Sequence, residues 1–95
     1  QGISGQAAHV VGKKLREIAR DKQILCITHL PQIAAMADTA YRIFKHSDDS
    51  STYTHIEKLD SGAQIDEIAR LIGGETITDA TRKNAEELIE SAKNI

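Results

Sequence analysis

The stretch Ile24-Leu25-Cys26-Ile27-Thr28-His29-Leu30-Pro31 sets the expected fold of this chain. Its first four residues are apolar without alternation, which is typical of a strand buried on both faces of a parallel sheet. We therefore predict a central strand over residues 24–28, with His29 leaving its carboxyl end. Pro31 favours the start of a short helix over residues 31–37, because proline suits the first helical position.

Upstream of the strand, residues 6–20 are expected to form a helix, because their apolar side chains recur at helical spacing. Those side chains belong to Ala7, Ala8, Val11, Leu15, Ile18 and Ala19. Ser4 is the expected N-cap, and Gly5 just inside the helix allows another chain or a ligand to approach closely. Parallel strands are joined by crossover connections, so the chain is expected to begin inside a β-α-β unit, with a further strand before Gln1.

Downstream, the polar residues 47–51 lie between two runs rich in Tyr, Ile, Phe and Thr, which predicts a β-hairpin over residues 40–59. Ser61-Gly62-Ala63-Gln64 has capping-box spacing and opens a helix that ends at Gly73-Gly74. Thr78 is the expected cap of a last helix, and periodic apolar positions predict a buried apolar stripe on each of these two helices. The pattern predicts an α/β fold: part of a parallel sheet, a hairpin at its edge, and two C-terminal helices packed against it.

The composition narrows the class of protein. A chain of 95 residues fits one small domain, and its formal charge of −2 lacks the basic footprint of a self-sufficient nucleic-acid binder. The single cysteine excludes a disulfide framework within the chain and fits a reducing cytoplasm. No apolar run approaches the length of a membrane span and no signal peptide is recognisable, so we expect a soluble intracellular protein.

His29 is the most informative candidate for chemistry. Ligands of open α/β sheets bind beyond the carboxyl ends of the strands, where a histidine can hydrogen-bond a phosphate or a nucleophilic water. The alternative is a partly buried histidine bonded to a nearby carbonyl. Gly2-Ile3-Ser4-Gly5 would lie on the same edge and allow the backbone to approach an anion or a partner, with an ordinary capped turn as its alternative.

The sequence lacks the residues that several other kinds of functional site require. Gly12-Lys13-Lys14 has neither the upstream glycine nor the Ser/Thr of a phosphate-binding loop, and no acidic pair follows an apolar strand to hold magnesium. Cys26 is expected to be a buried, unreactive thiol. On a five-residue loop His46 and His55 would lie on opposite faces of the hairpin, so no metal site is predicted. The basic side chains of the first helix are expected to form a solvated face: Lys13, Lys14, Arg16 and Arg20.

Three segments resemble one known family. Residues 24–38, Ile-Leu-Cys-Ile-Thr-His-Leu-Pro-Gln-Ile-Ala-Ala-Met-Ala-Asp, closely resemble the switch-histidine region of ABC-type ATPases related to structural-maintenance-of-chromosomes proteins. Gly2-Ile3-Ser4-Gly5 followed by Ala8 resembles the D-loop of that family. Ile68-Ala69-Arg70-Leu71-Ile72-Gly73-Gly74, then Thr78, resembles its C-terminal helical tail. The resemblance covers nearly the whole chain, in order.

The resemblance implies that residues 1–95 form the C-terminal segment of a P-loop ATPase head. This segment lacks Walker A, the signature motif and Walker B. In this family the head is assembled from N- and C-terminal parts of one chain, separated by a long coiled coil. The Walker B strand would then come just before Gln1. Gln1 stands where the family usually has a threonine, directly before the glycine that matches Gly2, and no role is assigned to Gln1.

The same resemblance implies roles for three residues. His29 matches the switch histidine that contacts the γ-phosphate, so it is the expected catalytic residue, while Ser4 and Gly5 match the D-loop beside the nucleotide of the opposing head. The complete protein would hydrolyse ATP with Mg²⁺, whereas this chain alone would bind neither tightly and would not be an enzyme by itself.

The expected partners are a second head in an ATP-dependent homodimer, the N-terminal part of the same head, and DNA reached through the complete protein, with no membrane. The implied process is recombinational repair of DNA double-strand breaks in the cytoplasm, at the nucleoid. The alternative from another functional class is a non-enzymatic α/β interaction module, in which the C-terminal helices bind a partner and His29 only packs.

Overall fold

The structure is a computed structural model and describes residues 5–94. Its elements are α1 (Gly5–Ile18), α2 (Pro31–Ala34), β1 (Tyr41–Ser47), β2 (Thr52–Lys58), α3 (Ser61–Gly73) and α4 (Asp79–Lys93). The mixture of helices and strands is consistent with the predicted α/β class, but the predicted part of a parallel sheet is not found among the described residues. The only sheet in the described part of the chain is the antiparallel pair β1–β2.

Residues 24–28 depart most from the sequence prediction. They form no strand, no parallel pair exists among residues 5–94, and Leu25 and Ile27 are 86% and 82% exposed. Cys26, expected to be buried, is exposed as well. An unalternated apolar run is buried only when strands lie beside it and helices cover both faces, and the described residues supply no neighbouring strand. The predicted buried central strand is therefore wrong for this structure.

The core lies among α2, α3 and α4 rather than against a sheet. Ile68 and Ala69 of α3 meet Ala85 of α4 and Ala35 after α2, and all of these side chains are at most 4% exposed. Ile65, Ile72, Leu88 and Ile89 pack around them. The predicted apolar stripes of both C-terminal helices are confirmed. Their expected packing against a sheet is not found, because each stripe is buried by the neighbouring helices.

The ends of the helices follow local sequence signals closely. Thr78 caps α4 as predicted, in a capping box with Thr81. The cap of α3 is one residue earlier than predicted: Oδ1 of Asp60, not Ser61, accepts from the backbone N–H of Ala63 at 2.8 Å. Helix α2 begins at Pro31 as predicted but ends at Ala34, three residues earlier than expected.

The hairpin corrects the predicted placement of two histidines. Ser47 pairs with Thr52, so the loop has one residue fewer than expected and the register shifts. His46 and His55 consequently lie on the same face, with ring centroids 5.9 Å apart, and His55 stacks on Phe44. The described residues still contain no cluster of three or more side chains able to hold a metal ion.

The chain is more open than a compact domain of its size. Its radius of gyration is 14.3 Å, against about 12 Å expected for this length. Its accessible surface of 7091 Å² exceeds the roughly 5,400 Å² of a compact protein of equal mass. Exposed apolar side chains contribute to this surface: Leu25 and Ile27 are 86% and 82% exposed, and Ile43 and Ile56 of the hairpin are 54% and 68% exposed.

Candidate functional site

The backbone around His29 is held in a defined turn. Oγ1 of Thr28 accepts from the backbone N–H of Leu30 at 3.0 Å, a local side-chain turn that closes over His29. Leu30 then starts α2 from an extended conformation (φ −92°, ψ 119°), with Pro31 at the first helical position. The carbonyl of Leu30 accepts from Ile33 at 3.1 Å. His29 is thus presented by a turn that its own neighbours fix.

The side chain of His29 is exposed, and the described residues give it neither a hydrogen bond nor an ion pair. The alternative of a partly buried histidine bonded to a nearby carbonyl is therefore not what the structure contains. An exposed imidazole of this kind is available to a ligand. Its role toward phosphate stays a prediction.

Gly5 lies beside the start of α2, the helix that follows His29 in the chain. A Cβ atom on Gly5 would be 3.0 Å from Nε2 of Gln32, and Gln32 follows His29 by three residues. The first turn of α1 and the start of α2 are therefore in close contact. Ser4, the other D-loop residue predicted from the sequence, lies outside the described residues.

An open groove of about 930 Å³ adjoins His29. Its walls are α1, the extended residues 22–29, the turn after α2, the start of β1, and α3. The apolar lining side chains include Leu15, Ile24, Leu25, Ile27, Ile33, Ile68 and Leu71. A groove with this lining is suited to apolar chain segments. It runs alongside residues 24–28, where Leu25 and Ile27 are exposed.

Charged side chains at one wall of the groove are paired within the chain. Nε of Arg42 lies 3.7 Å from Oε1 of Glu67, and Arg70 donates to the same carboxylate. The hydrogen bond that Arg70 donates to the carboxylate of Glu67 is the main reason that the pKa of Arg70 is raised above its ordinary value. Arg42 also lies over the ring of Phe44, 4.5 Å from its centroid. These contacts tie the hairpin to α3.

Arg16 has a structural role that the sequence analysis missed. Its Nη2 donates to the carbonyl of Met36 at 2.9 Å, and its Nη1 donates to the carbonyl of Ala92. The guanidinium thus joins α1 to the end of α4 and to the turn after α2, and the expectation of a solvated basic face is wrong at this position. Gly12 was the available signal, because a glycine inside a helix often marks close approach, and here Met36 packs against it.

No helix in residues 5–94 has the length and apolar character needed to cross a membrane.

No protein-family model matches the chain. Its similarity to curated proteins is nevertheless extensive, and the proteins it matches are bacterial DNA repair proteins. They are named RecN. The chain is 40% identical to RecN of Bacillus subtilis over 94 residues, 45% identical to RecN of Vibrio cholerae over 91, and 36% identical to RecN of Streptomyces coelicolor over 92.

These matches cover 99%, 96% and 97% of this chain, but only 16% of each relative. The chain is therefore homologous to a segment of RecN, consistent with a C-terminal one, and the resemblance inferred from the sequence motifs is confirmed at this level. Because it spans about one sixth of these relatives, the activity and partners of the complete protein enter only as proposals.

Proposed function

We propose that this chain is the C-terminal part of an ATP-binding and ATP-hydrolysing head in a RecN-type protein that acts in recombinational repair of DNA double-strand breaks. His29 contacts the γ-phosphate or the attacking water. Ser4 and Gly5 meet the nucleotide held by a second head, and the N-terminal part of the same head completes the fold. ATP and Mg²⁺ are the cofactors of that assembly, which contacts DNA through the complete protein in the cytoplasm, at the nucleoid.

One observation carries the proposal: an exposed histidine follows an apolar run, as at the carboxyl end of a strand, and Gln32, three residues later, contacts Gly5. In doubly wound sheets this is the edge at which nucleotides bind. The similarity to RecN supports the same assignment, because it includes the segment that carries His29.

The groove and the uncovered run explain what the rest of the head supplies. Neighbouring strands would pair with the backbone of residues 24–28 and cover Leu25 and Ile27, which are now 86% and 82% exposed. The chain contains no phosphate-binding loop and no acidic pair after an apolar strand. The remainder of the head therefore provides the phosphate cradle and the magnesium ligands.

The chemistry proposed is in-line attack of water on the γ-phosphate, which depends mainly on positioning and on charge stabilisation. His29 contributes a hydrogen bond from its imidazole to the γ-phosphate oxygen or to the water. Such a contact is worth most when charge redistributes in the transition state, so it acts on turnover more than on ATP affinity.

The alternative, a non-enzymatic interaction module, requires free apolar stripes on the C-terminal helices. Ile68 and Ala69 of α3 and Ala85 of α4 are at most 1% exposed because the helices bury one another. This packing leaves those stripes unavailable to a partner and favours the ATPase proposal.

The test is His29→Ala in the complete protein, with His9→Ala as a matched control because His9 is an exposed histidine on α1. Loss of one preorganised contact lowers kcat by about 10²–10³ with little change in KM, and His9→Ala stays near wild type. Steady-state hydrolysis is normalised to the folded fraction measured by circular dichroism. Unchanged turnover in His29→Ala would remove His29 from the reaction.

A further inference from the structure

The packing of α1 against α2 is set by a face of α1 that carries only small residues. Gly5, Ala8 and Gly12 are spaced by three and four positions, so they share one face of the helix. Ala8 is fully buried. Gln32 lies against Gly5, and Met36, in the turn after α2, lies against Gly12.

Gln32 makes the contact nearer to His29. A Cβ atom on Gly5 would lie 3.0 Å from its Nε2 and 3.9 Å from its Cδ, so a methyl group at position 5 would require the amide of Gln32 to shift. The side chain of Gln32 is half-buried. It therefore bridges the first turn of α1 and the first turn of α2.

The link from Gln32 back to His29 is short and stiff. Pro31 has a fixed φ, and the carbonyl of Leu30 accepts from Ile33 and from Ala34 at 3.1 and 3.0 Å. The hydrogen bond from Leu30 to Thr28 fixes the other side of His29. A displacement of the backbone at Gln32 is consequently passed to His29 rather than absorbed between them.

We infer that Gln32 is a positioning residue that couples the segment entering α1 at Gly5 to His29. Gln32 sets the distance between Gly5 and the turn that carries His29, the two elements predicted to face nucleotide, so that the position of one depends on the position of the other. This inference rests on the proposed ATPase function, since coupling has a catalytic consequence only if both elements face nucleotide. Gln32 itself touches neither substrate nor cofactor in this role.

The experiment uses the complete protein with Gln32→Ala, Gly5→Ala and the double substitution. Gln6→Ala is the matched control, because Gln6 is an exposed glutamine in the same first turn of α1. Misplacement of a catalytic group lowers kcat, and we expect a loss of roughly 10-fold to 100-fold in Gln32→Ala with KM within about twofold of wild type. Gln6→Ala keeps the wild-type kcat.

The double substitution gives the sharper result. Gly5→Ala alone displaces the amide of Gln32 and lowers kcat, whereas in the Gln32→Ala background the added methyl group enters vacated space and causes a smaller loss, which comes only from the role of Gly5 toward nucleotide. Losses that multiply in the double variant, or a kcat in Gln32→Ala equal to that of Gln6→Ala, overturn the inference.

A second measurement separates this inference from the proposed function. Amide hydrogen exchange should rise together in residues 5–12 and 28–36 of Gln32→Ala, and in neither segment of Gln6→Ala. Unchanged exchange in these segments overturns the coupling whatever the ATPase activity. An inactive wild type, or full turnover in His29→Ala, overturns the proposed function instead.

Discussion

Gly12 and Arg16 show how single residues of α1 fix the position of other elements. Gly12 is buried in the middle of the helix, where glycine ordinarily costs about 1 kcal/mol relative to alanine. Met36 occupies the space beside it, and Arg16, one turn later, donates to the carbonyl of Met36. The missing side chain therefore permits the approach on which the neighbouring hydrogen bond depends.

Gly12→Ala should destabilise the chain although alanine favours helix. The added methyl group meets Met36, and overpacking of this kind costs about 1–3 kcal/mol. Gly62→Ala is the control, because its Cβ would lie in open surroundings, 3.7 Å from Oδ1 of Asp60. Urea unfolding should show a lower free energy of unfolding for Gly12→Ala and no loss for Gly62→Ala. A more stable Gly12→Ala would contradict this account of the contact.

Single residues are predictable from sequence where their structural cause is local. Pro31 at the start of α2 and Thr78 at the cap of α4 depend on neighbours within one turn, and both predictions are confirmed. His46 and His55 depend on the hairpin register, so an error of one loop residue moved them to the wrong faces. Gln32 and Arg16 act across elements, and no spacing rule identifies such contacts in advance.

The β1–β2 hairpin depends on its loop more than on burial, since every residue of β2 is exposed. Oδ1 of Asp48 accepts from the backbone N–H groups of Ser50 and Ser51 at 2.9 and 2.8 Å. These hydrogen bonds favour the ionised carboxylate and lower the pKa of Asp48 below its ordinary value. Asp49, the next residue, makes no such bond among the described residues.

Asp48→Ala should increase amide exchange at Ser50 and Ser51, whereas Asp49→Ala should leave both unchanged. Because the pKa of Asp48 is lowered on folding, its contribution is present above the pKa of the unfolded chain and is lost as pH falls through the folded value. An NMR titration of the chain tests this. A carboxylate of Asp48 that titrates at or above its ordinary value would exclude the loop bonds in solution.

Whole elements were predictable in proportion to how much of their environment lies within this chain. Periodic apolar positions identified α1, α3 and α4, and the last two bury those positions against each other. Residues 24–28 have an equally clear pattern, but a parallel strand exists only through its neighbours, and the described residues contain none for it. The sequence pattern there predicted a strand whose neighbours the described residues do not supply.

At the scale of the molecule, that uncovered run should govern how the chain behaves alone. An exposed apolar edge with unpaired backbone groups favours pairing with another copy. We expect the chain to sediment with a mass that rises with concentration. Leu25→Lys with Ile27→Lys should abolish this self-association without loss of helix by circular dichroism, because these side chains are 86% and 82% exposed and contribute little to the core.

The same double substitution should have the opposite consequence in the complete protein. There we propose that residues 24–28 are a central strand. Two lysines in a buried strand would leave unpaired charges, so we expect the free energy of unfolding to fall by more than about 4 kcal/mol. Val10→Lys is the control, since Val10 is 61% exposed on α1 and lies outside the run that we propose the rest of the head covers. Thermal unfolding of the complete variants decides the matter. If Leu25→Lys with Ile27→Lys is as stable there as Val10→Lys, the run stays at the surface of the complete protein, and the rest of the head does not add its sheet at this edge.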